Sequence, residues 1–316
     1  RDGELVRWGA AEAVVRGEVR REAREAVTVS IGLRADGSKT VKVDGVTQKR
    51  LADAVGQINV VLFGPEELRL VDGGPGERRG YLNTCLGQTD PRYLAALGAY
   101  RNLLRQRNRL LRQGRDRYVD PDLLLAYDDQ LVAEAGVVMA RRATAIAELE
   151  RQASAVHERL SGGREKLTIG YEANVALPGG GDEAAYAAAM GEKLIVRRDE
   201  ELRRGLTVVG PHRDDLLLRI NDIDARTYGS QGQQRTAALA LKIAELRVVK
   251  QAVGEAPLLL LDDVLSELDE HRRAEVMALV DEADQVLLTG SQAADFDPAL
   301  RARARVYRVE AGEVVG

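Results

Sequence analysis

Four consecutive leucines followed by two aspartates, at residues 258–263, constrain the fold of this chain more than any other feature. The run shows no polar alternation, which predicts a strand buried on both faces of a mainly parallel sheet. Carboxylates that follow such a strand lie at the carboxyl edge of the sheet, where open α/β sheets bind ligands. One carboxylate can hold Mg²⁺ there, and the next can orient or deprotonate an attacking water. Asp262 and Asp263 are therefore candidate catalytic residues, and Asp262 is also the candidate metal ligand.

A polar turn that contains glycine comes before this strand. It consists of Ser230, Gln231, Gly232 and Gln233. Apolar residues then recur every three or four positions, at 239, 243, 246 and 249, which predicts a helix that begins at the turn. A helix N-terminus carries a partial positive charge, and glycine lets a phosphate approach the backbone closely. Such a turn is usually only a helix cap, but its position before the two aspartates and a second polar loop at 266–269 favours an ATPase site.

The order of these segments resembles the signature motif, Walker B strand and D-loop of ABC-type ATPases. The fuller resemblance is to the RecF family of bacterial recombination and repair proteins, and it covers nearly the whole chain. It is carried by Leu-Phe-Gly-Pro-Glu-Glu-Leu at 62–68, Gly-Gly-Pro-Gly-Glu-Arg-Arg-Gly-Tyr-Leu at 73–82, Gln-Arg-Asn at 106–108, Gly-Pro-His-Arg-Asp-Asp-Leu at 210–216 and Asp-Asp-Val-Leu-Ser-Glu-Leu-Asp at 262–269. Residues 230–233 stand in the place of the signature motif and are named the signature turn.

The resemblance implies that ATP and Mg²⁺ are held between two head-to-tail subunits of an ATP-dependent homodimer. The signature turn of one subunit, through Ser230, Gly232 and Gln233 with Gln231 beside them, would cap the γ-phosphate bound to the other. Asp269 would signal across the interface. The resemblance further implies a cytoplasmic protein that binds DNA, double-stranded and at gaps or single-strand/double-strand junctions. It would load a recombinase there together with the mediator proteins RecO and RecR.

Three departures from the ABC pattern bear on activity. The phosphate loop G-x-x-x-x-G-K-[ST] is not found in the 316 residues, and the chain opens like family sequence that follows this loop, so we expect a fragment without the Walker A segment. Asp263 stands where many ABC proteins have Glu, and its shorter reach predicts slow hydrolysis. Thr289 ends the strand predicted at 285–289, so a hydroxyl is expected in the role of the usual switch histidine.

Local rather than global charge points to nucleic acid, because the net charge is only −4. Arginines crowd the helical stretch 101–117, at positions 101, 105, 107, 109, 112, 115 and 117. Such a run is most often a solvated helix face, but it can also neutralise DNA phosphates without reading sequence. The DNA-binding candidates are Arg101, Arg105, Arg109 and Arg112. Arg78 and Arg79 are weaker candidates for the same surface.

The pattern along the chain predicts an α/β fold, an ABC-type ATPase head with a mixed sheet and an antiparallel β subdomain, plus an inserted helical lobe. Strands are expected at 13–19, 27–33, 40–43, 58–63 and 206–209. Residues 81–204 have a helical pattern, with an apolar stripe over 131–160 that Arg142 interrupts. The predicted domains are the head at 1–80 and 206–316 and the helical lobe at 81–205.

The remaining features exclude some classes of protein and leave others open. A single cysteine, Cys85, excludes an internal disulfide, and three scattered histidines offer no zinc cluster. The longest apolar runs are far shorter than a membrane span. His212 lies inside a motif, where structural and functional roles are both open. Alternative functions are another ABC-type DNA-repair ATPase and a DNA-binding scaffold that hydrolyses nothing.

Overall fold

The computed structural model describes residues 2–21, 24–114, 119–177, 179–264, 270–292 and 296–315. The predicted interface residue Asp269 and the arginines Arg115 and Arg117 lie outside these ranges.

The N-terminal part of the chain is an antiparallel sheet. Its strands, in spatial order, are β1 (Glu12–Arg21), β2 (Arg24–Arg34), β3 (Lys39–Val43) and β4 (Val46–Thr47). Asp44 and Gly45, with φ of 49° and 80°, form the tight turn between β3 and β4, where positive φ matches the strand twist. The antiparallel β subdomain expected from the sequence is confirmed.

The core sheet is parallel, and the leucine strand lies at its centre. Its members are β5 (Val60–Phe63), β9 (Leu258–Asp262) and β10 (Val286–Thr289), in the order β10-β9-β5. The strands predicted at these places are confirmed. Leu259 and Leu261 are buried, whereas Leu258 and Leu260 are half-buried, so the expectation of burial on both faces holds for one face only.

A second antiparallel sheet corrects the sequence-based expectation. It is built from β6 (Leu167–Glu172), β7 (Asp215–Ile220) and β8 (Ile223–Asp224), with β7 in the middle. The helical pattern expected over 81–204 is wrong at β6. The strand expected at 206–209 is also wrong, because regular structure resumes only after the turn at 210–213. Strand β6 lies within the segment 81–205 predicted as the helical lobe, and it is hydrogen-bonded to β7, which lies in the predicted head. The domain boundaries stay a prediction.

Helices and short turns of 3-10 helix complete the fold. The helices are α1 (Arg69–Asp72), α2 (Pro75–Thr89), α3 (Pro91–Gln113), α4 (Pro121–Leu160), α5 (Glu183–Arg204), α6 (Ala225–Tyr228), α7 (Gln231–Val253), α8 (Glu270–Glu282) and α9 (Pro298–Arg303). The 3-10 turns are Asp2–Leu5, Leu51–Ala54, Pro65–Leu68 and Pro211–Arg213. Near the C-terminus, β11 (Arg308–Glu310) pairs with β12 (Glu313–Val315) in an antiparallel hairpin.

The long helix α4 contributes to three hydrophobic clusters, the smallest of which contains Val138 and Ala145. Its 40 residues reach about 60 Å at 1.5 Å per residue. Leu131, Ala135 and Met139 pack in the helical lobe with residues of α3 and α5. The C-terminal half, from 146 to 160, packs in the main core with α7 and the parallel sheet. Arg142, which interrupts the apolar stripe, is buried between the residues of the lobe core and those of the main core.

Within the described part of the chain, no helix is both long and apolar enough to cross a membrane.

Candidate functional site

A threonine hydroxyl is hydrogen-bonded to both aspartates at the carboxyl edge of the parallel sheet, to the side chain of one and the backbone of the other. Thr289 Oγ1 donates to Asp262 Oδ1 at 2.5 Å and accepts the backbone N–H of Asp263 at 3.2 Å. All three residues are exposed. The register explains the meeting, because Thr289 lies opposite Asp262 where β9 and β10 end side by side. The structure therefore brings together three residues that the sequence proposed separately.

Asp263 has a left-handed backbone, with φ of 50°. Aspartate tolerates this region better than most residues, and such conformations are common where the chain turns at a ligand site. The left-handed residue ends β9 abruptly and leaves both aspartates on the exposed edge.

The donor set fits a hard cation that is shared with a phosphate. Carboxylate oxygens are ligands that Mg²⁺ prefers, usually one or two together with phosphate and water. No group of three or more His, Cys, Asp or Glu side chains in the described ranges is placed to hold a metal ion. A cation at Asp262 would therefore complete its shell from a bound phosphate and water.

The signature turn is a reciprocal helix cap. Ser230 Oγ accepts the backbone N–H of Gln233 at 3.2 Å, and Gln233 Oε1 accepts the backbone N–H of Ser230 at 2.9 Å. Ser230 and Gln231 are exposed. The turn thus presents the N-terminus of the 23-residue helix α7 on the surface, with the serine hydroxyl at its tip.

The glycine of the turn leaves space for a ligand. A Cβ added to Gly232 would lie 3.8 Å from Arg272 and 3.9 Å from Ser230, which are ordinary contact distances. The fold alone therefore does not require glycine here, and the missing side chain keeps the approach to the helix N-terminus open.

Arg272 of α8 is hydrogen-bonded to the first turn of α7. Its guanidinium donates to the carbonyl oxygen of Gly232 at 3.1 Å and to Thr236 Oγ1 at 2.7 Å. Arg272 comes three residues after Asp269 in the sequence. Nothing in the local sequence singles out this arginine.

A cavity of about 290 Å³ lies between the loop after β5, the helix α7 and the end of β9. Its charged lining residues are Glu67, Arg235, Lys242 and Asp263. The buried Lys242 ammonium lies 2.6 Å from Glu245 Oε2 and 3.7 Å from Glu67 Oε1. Burial raises the pKa of Glu67, against the opposing effect of Lys242. The cavity therefore extends from Asp263, at the carboxyl edge of the sheet, to Lys242 on α7.

The four arginines proposed for DNA share one face of α3. Arg101, Arg105, Arg109 and Arg112 follow one another at helical intervals of four, four and three positions, and all are exposed. They are named the arginine row. Arg107, in the same stretch, is fully buried and pairs with Asp128 at 2.6 Å and Glu201 at 2.7 Å. Arg107 is therefore part of the core, not of the row.

Arg78 is likewise a structural residue. It is buried, and its Nε donates to Asp215 Oδ1 at 2.7 Å while Nη2 donates to Oδ2 at 2.8 Å. The suggestion that it belongs to a DNA surface is wrong for this reason. Arg79 is half-buried and donates to the carbonyl oxygen of Asp214 at 2.7 Å.

The motif at 210–216 forms a junction of helices and sheet. Asp214 is buried and accepts from Arg142 at 3.0 Å and from Tyr171 at 2.5 Å. His212 Nδ1 lies 2.6 Å from the Tyr100 hydroxyl, and its Nε2 lies 3.1 Å from the carbonyl oxygen of Thr207. Burial lowers the pKa of His212 to about 4, so the ring is neutral at pH 7. These contacts assign His212 a structural role.

The parallel core, its aspartate edge and the flanking antiparallel sheet define the head of an ABC-type ATPase. A solved structure of the recombination mediator protein RecF with ATP, in the RecFOR pathway, superposes with a TM-score of 0.89 at 30% identity, covering 100% of this chain and 82% of that one. The RecF structure with ATPrS gives the same TM-score of 0.89 and covers 99% of this chain.

Curated sequences agree with the structural match. DNA replication and repair protein RecF of Halalkalibacterium halodurans is 40% identical over 314 residues, which is 99% of this chain and 84% of the relative. RecF of Chloroflexus aurantiacus is 42% identical over 335 residues, with 99% and 85% covered. No protein-family model matches the chain. The chain belongs to the RecF family of DNA replication and repair proteins.

Proposed function

We propose that this protein is a weak DNA-repair ATPase that binds Mg²⁺-ATP between two copies arranged head to tail. The observation that carries the proposal is the hydrogen-bonded unit of Asp262, Thr289 and the Asp263 backbone at the carboxyl edge of the core sheet. The ATP bound in solved RecF structures supports the choice of nucleotide. The head would comprise residues 1–80 and 206–316, and the helical lobe 81–205.

The residues of one subunit would act on the phosphates and the water. Asp262 would hold the metal ion, which when bound neutralises charge on the phosphates. Asp263 would position and deprotonate the attacking water, with slow turnover because its reach is one methylene shorter than that of glutamate. Thr289 would keep Asp262 in a single orientation and fix the backbone of Asp263.

The second copy would supply the signature turn. The hydroxyl of Ser230 and the backbone N–H groups of Gln231 and Gly232 would meet the γ-phosphate, which the helix N-terminus favours electrostatically. Gln233 would hold the turn in its capped shape. Asp269, which follows the end of β9 by seven positions, would report nucleotide binding across the interface.

The arginine row would bind the DNA backbone. Four exposed guanidinium groups along one face of α3 suit phosphates on a duplex, and phosphate contacts carry no sequence preference. The family and the RecFOR pathway of its solved members support action in the cytoplasm with RecO and RecR at DNA gaps or single-strand/double-strand junctions. ATP would close the homodimer on DNA, and hydrolysis would open it.

The test is whether Mg²⁺-ATP shifts the full-length protein from monomer to dimer in analytical ultracentrifugation. Ser230→Arg places a long cation where the γ-phosphate of the opposite subunit would lie, so we expect the ATP-dependent dimer to be lost. Gln130→Arg adds the same side chain to an exposed site on α4 and serves as the control. An ATP-dependent dimer that survives Ser230→Arg would contradict the head-to-tail arrangement. DNA binding that needs no nucleotide would instead favour a scaffold.

A further inference from the structure

The side chain of Gln233 makes two hydrogen bonds that point in opposite directions. Its Oε1 accepts the Ser230 backbone N–H at 2.9 Å, inside the signature turn. Its Nε2 donates to Glu165 Oε1 at 2.9 Å, outside the turn. A carboxylate can only accept hydrogen bonds, so Glu165 must face the NH₂ group of the amide. Glu165 therefore determines which end of the amide faces Ser230.

Glu165 is itself held at the C-terminal end of α4. Its backbone N–H donates to Ser161 Oγ at 3.2 Å, and its second carboxylate oxygen lies 3.2 Å from His157 Nε2. His157 is fully buried, and burial lowers its pKa, so at pH 7 a neutral ring faces the carboxylate. The Glu165 side chain is 22% exposed. A half-buried acceptor with two partners has little rotational freedom.

The Glu165 carboxylate also explains why residue 233 is glutamine. A capping box accepts either glutamate or glutamine at its third helical position. Glutamate at 233 would bring a second carboxylate to about 3 Å from Glu165, and like charges at this distance repel. Glutamine keeps the cap and adds the donor that Glu165 requires.

We infer that Glu165 is a positioning residue for the signature turn, acting through Gln233 to hold Ser230 and Gly232 in a shape ready to meet the γ-phosphate of the opposite subunit. The inference rests on the proposed function. Ser230 and Gln231 are exposed, so hydrogen bonds rather than packing keep the turn in shape. A turn ordered before binding loses less entropy when the dimer forms. Because Glu165 closely follows α4, the hydrogen bond also links the turn to the helix that runs into the helical lobe.

The experiment is a charge-swap cycle on the full-length protein, measured by Mg²⁺-ATP-dependent dimerisation. Glu165→Ala frees the amide of Gln233, and we expect the dimer to weaken about tenfold, because the freed turns must be ordered again when the dimer forms. Gln233→Glu should weaken it at least as much through repulsion. Adding Glu165→Gln to Gln233→Glu reverses the donor and the acceptor, and should restore dimerisation to within about threefold of the original protein.

The controls separate positioning from general stability. Glu158→Ala removes an exposed carboxylate from the last turn of α4 and should leave dimerisation unchanged. Thermal unfolding without nucleotide monitors the fold. If the charge-swapped double variant dimerises no better than Gln233→Glu, or Glu165→Ala dimerises normally while Ser230→Arg does not, the positioning role is wrong and the proposed function stands. If Ser230→Arg also dimerises normally, the proposed function itself fails.

Discussion

The hydroxyl of Thr289 donates a 2.5 Å hydrogen bond to Asp262 and so couples the ends of β10 and β9. The same oxygen accepts the N–H of Asp263. One side chain therefore fixes both the carboxylate proposed for the metal and the backbone that carries the carboxylate proposed for the water.

Thr289→Val keeps the shape of the side chain but removes the hydroxyl. Asp262 would lose its orienting donor, and we expect ATP hydrolysis to slow about tenfold, in line with the loss of one hydrogen bond to a charged group. Steady-state phosphate release measures the effect. Thr289→Ser retains the hydroxyl and should stay within about threefold of the original rate. Equal rates for the valine and serine variants would show that the hydroxyl does not act in hydrolysis.

Asp263→Asn should separate binding from hydrolysis. Asparagine also tolerates the left-handed backbone at this position, so the turn after β9 should be preserved. The amide cannot accept a proton from water, and we expect turnover to fall by about a hundredfold or more. The Mg²⁺-ATP dimer should form and persist, which a sedimentation time course would detect. Normal turnover in this variant would assign the base to another residue.

Local patterns predict the parts of the fold that depend on short-range order. The strand around Leu259 and the helix that begins at the signature turn follow from apolar runs and spacing, and both are present. The strand β6 is missed, although Leu167 and Ile169 alternate with Thr168 and Gly170, because a run of six residues between two long helical stretches is too short to be separated from them by pattern alone.

The spacing of the arginines in α3 distinguishes the buried one from the exposed ones, whereas their number alone does not. Arg107 looks like its neighbours in composition, but it falls outside the spacing of four, four and three that Arg101, Arg105, Arg109 and Arg112 keep. Its burial follows from carboxylates on two other helices, Asp128 and Glu201. Glu165 has no comparable signal, because its hydrogen bond with Gln233 spans 68 positions.

The arginine row should determine the salt dependence of DNA binding. Replacing its four members by glutamine should weaken binding to duplex DNA. The slope of log K against log salt should become shallower by about 0.9 for each phosphate that the protein no longer neutralises. Fluorescence anisotropy at several salt concentrations measures both quantities. Arg203→Gln with Arg204→Gln removes exposed charge from the end of α5 and is the control. An unchanged slope in the row variant would place the DNA elsewhere.

Arg107 should be required for stability rather than for DNA binding. Arg107→Ala leaves Glu201 buried without a cation, while Asp128 keeps its second partner Arg198, and breaking a buried ion pair in this way costs about 3–5 kcal/mol. Urea unfolding measures the loss. Arg107→Met combined with Glu201→Gln removes the fully buried ion pair, keeps an acceptor for the Val208 N–H and leaves the Asp128–Arg198 pair in place, so it should recover much of the stability. A single-variant cost below about 1 kcal/mol would contradict the assigned role.

Acid should destabilise the fold through His212. In the unfolded chain the pKa of histidine is about 6.5, whereas burial lowers the pKa of His212 to about 4 in the folded protein. Between these values the unfolded chain binds a proton that the folded protein does not, so stability falls as pH drops from about 6.5 toward about 4. The contribution lost between about pH 7 and pH 5 is about 2 kcal/mol.

His212→Gln cannot titrate, so its free energy of unfolding should fall about 2 kcal/mol less over this range, as measured by urea unfolding at both pH values. The comparison variant His157→Gln removes a fully buried ring and leaves the His212 contribution in place. An identical pH dependence in the original protein and His212→Gln would mean that His212 is not held neutral by the junction with Tyr100 and Thr207.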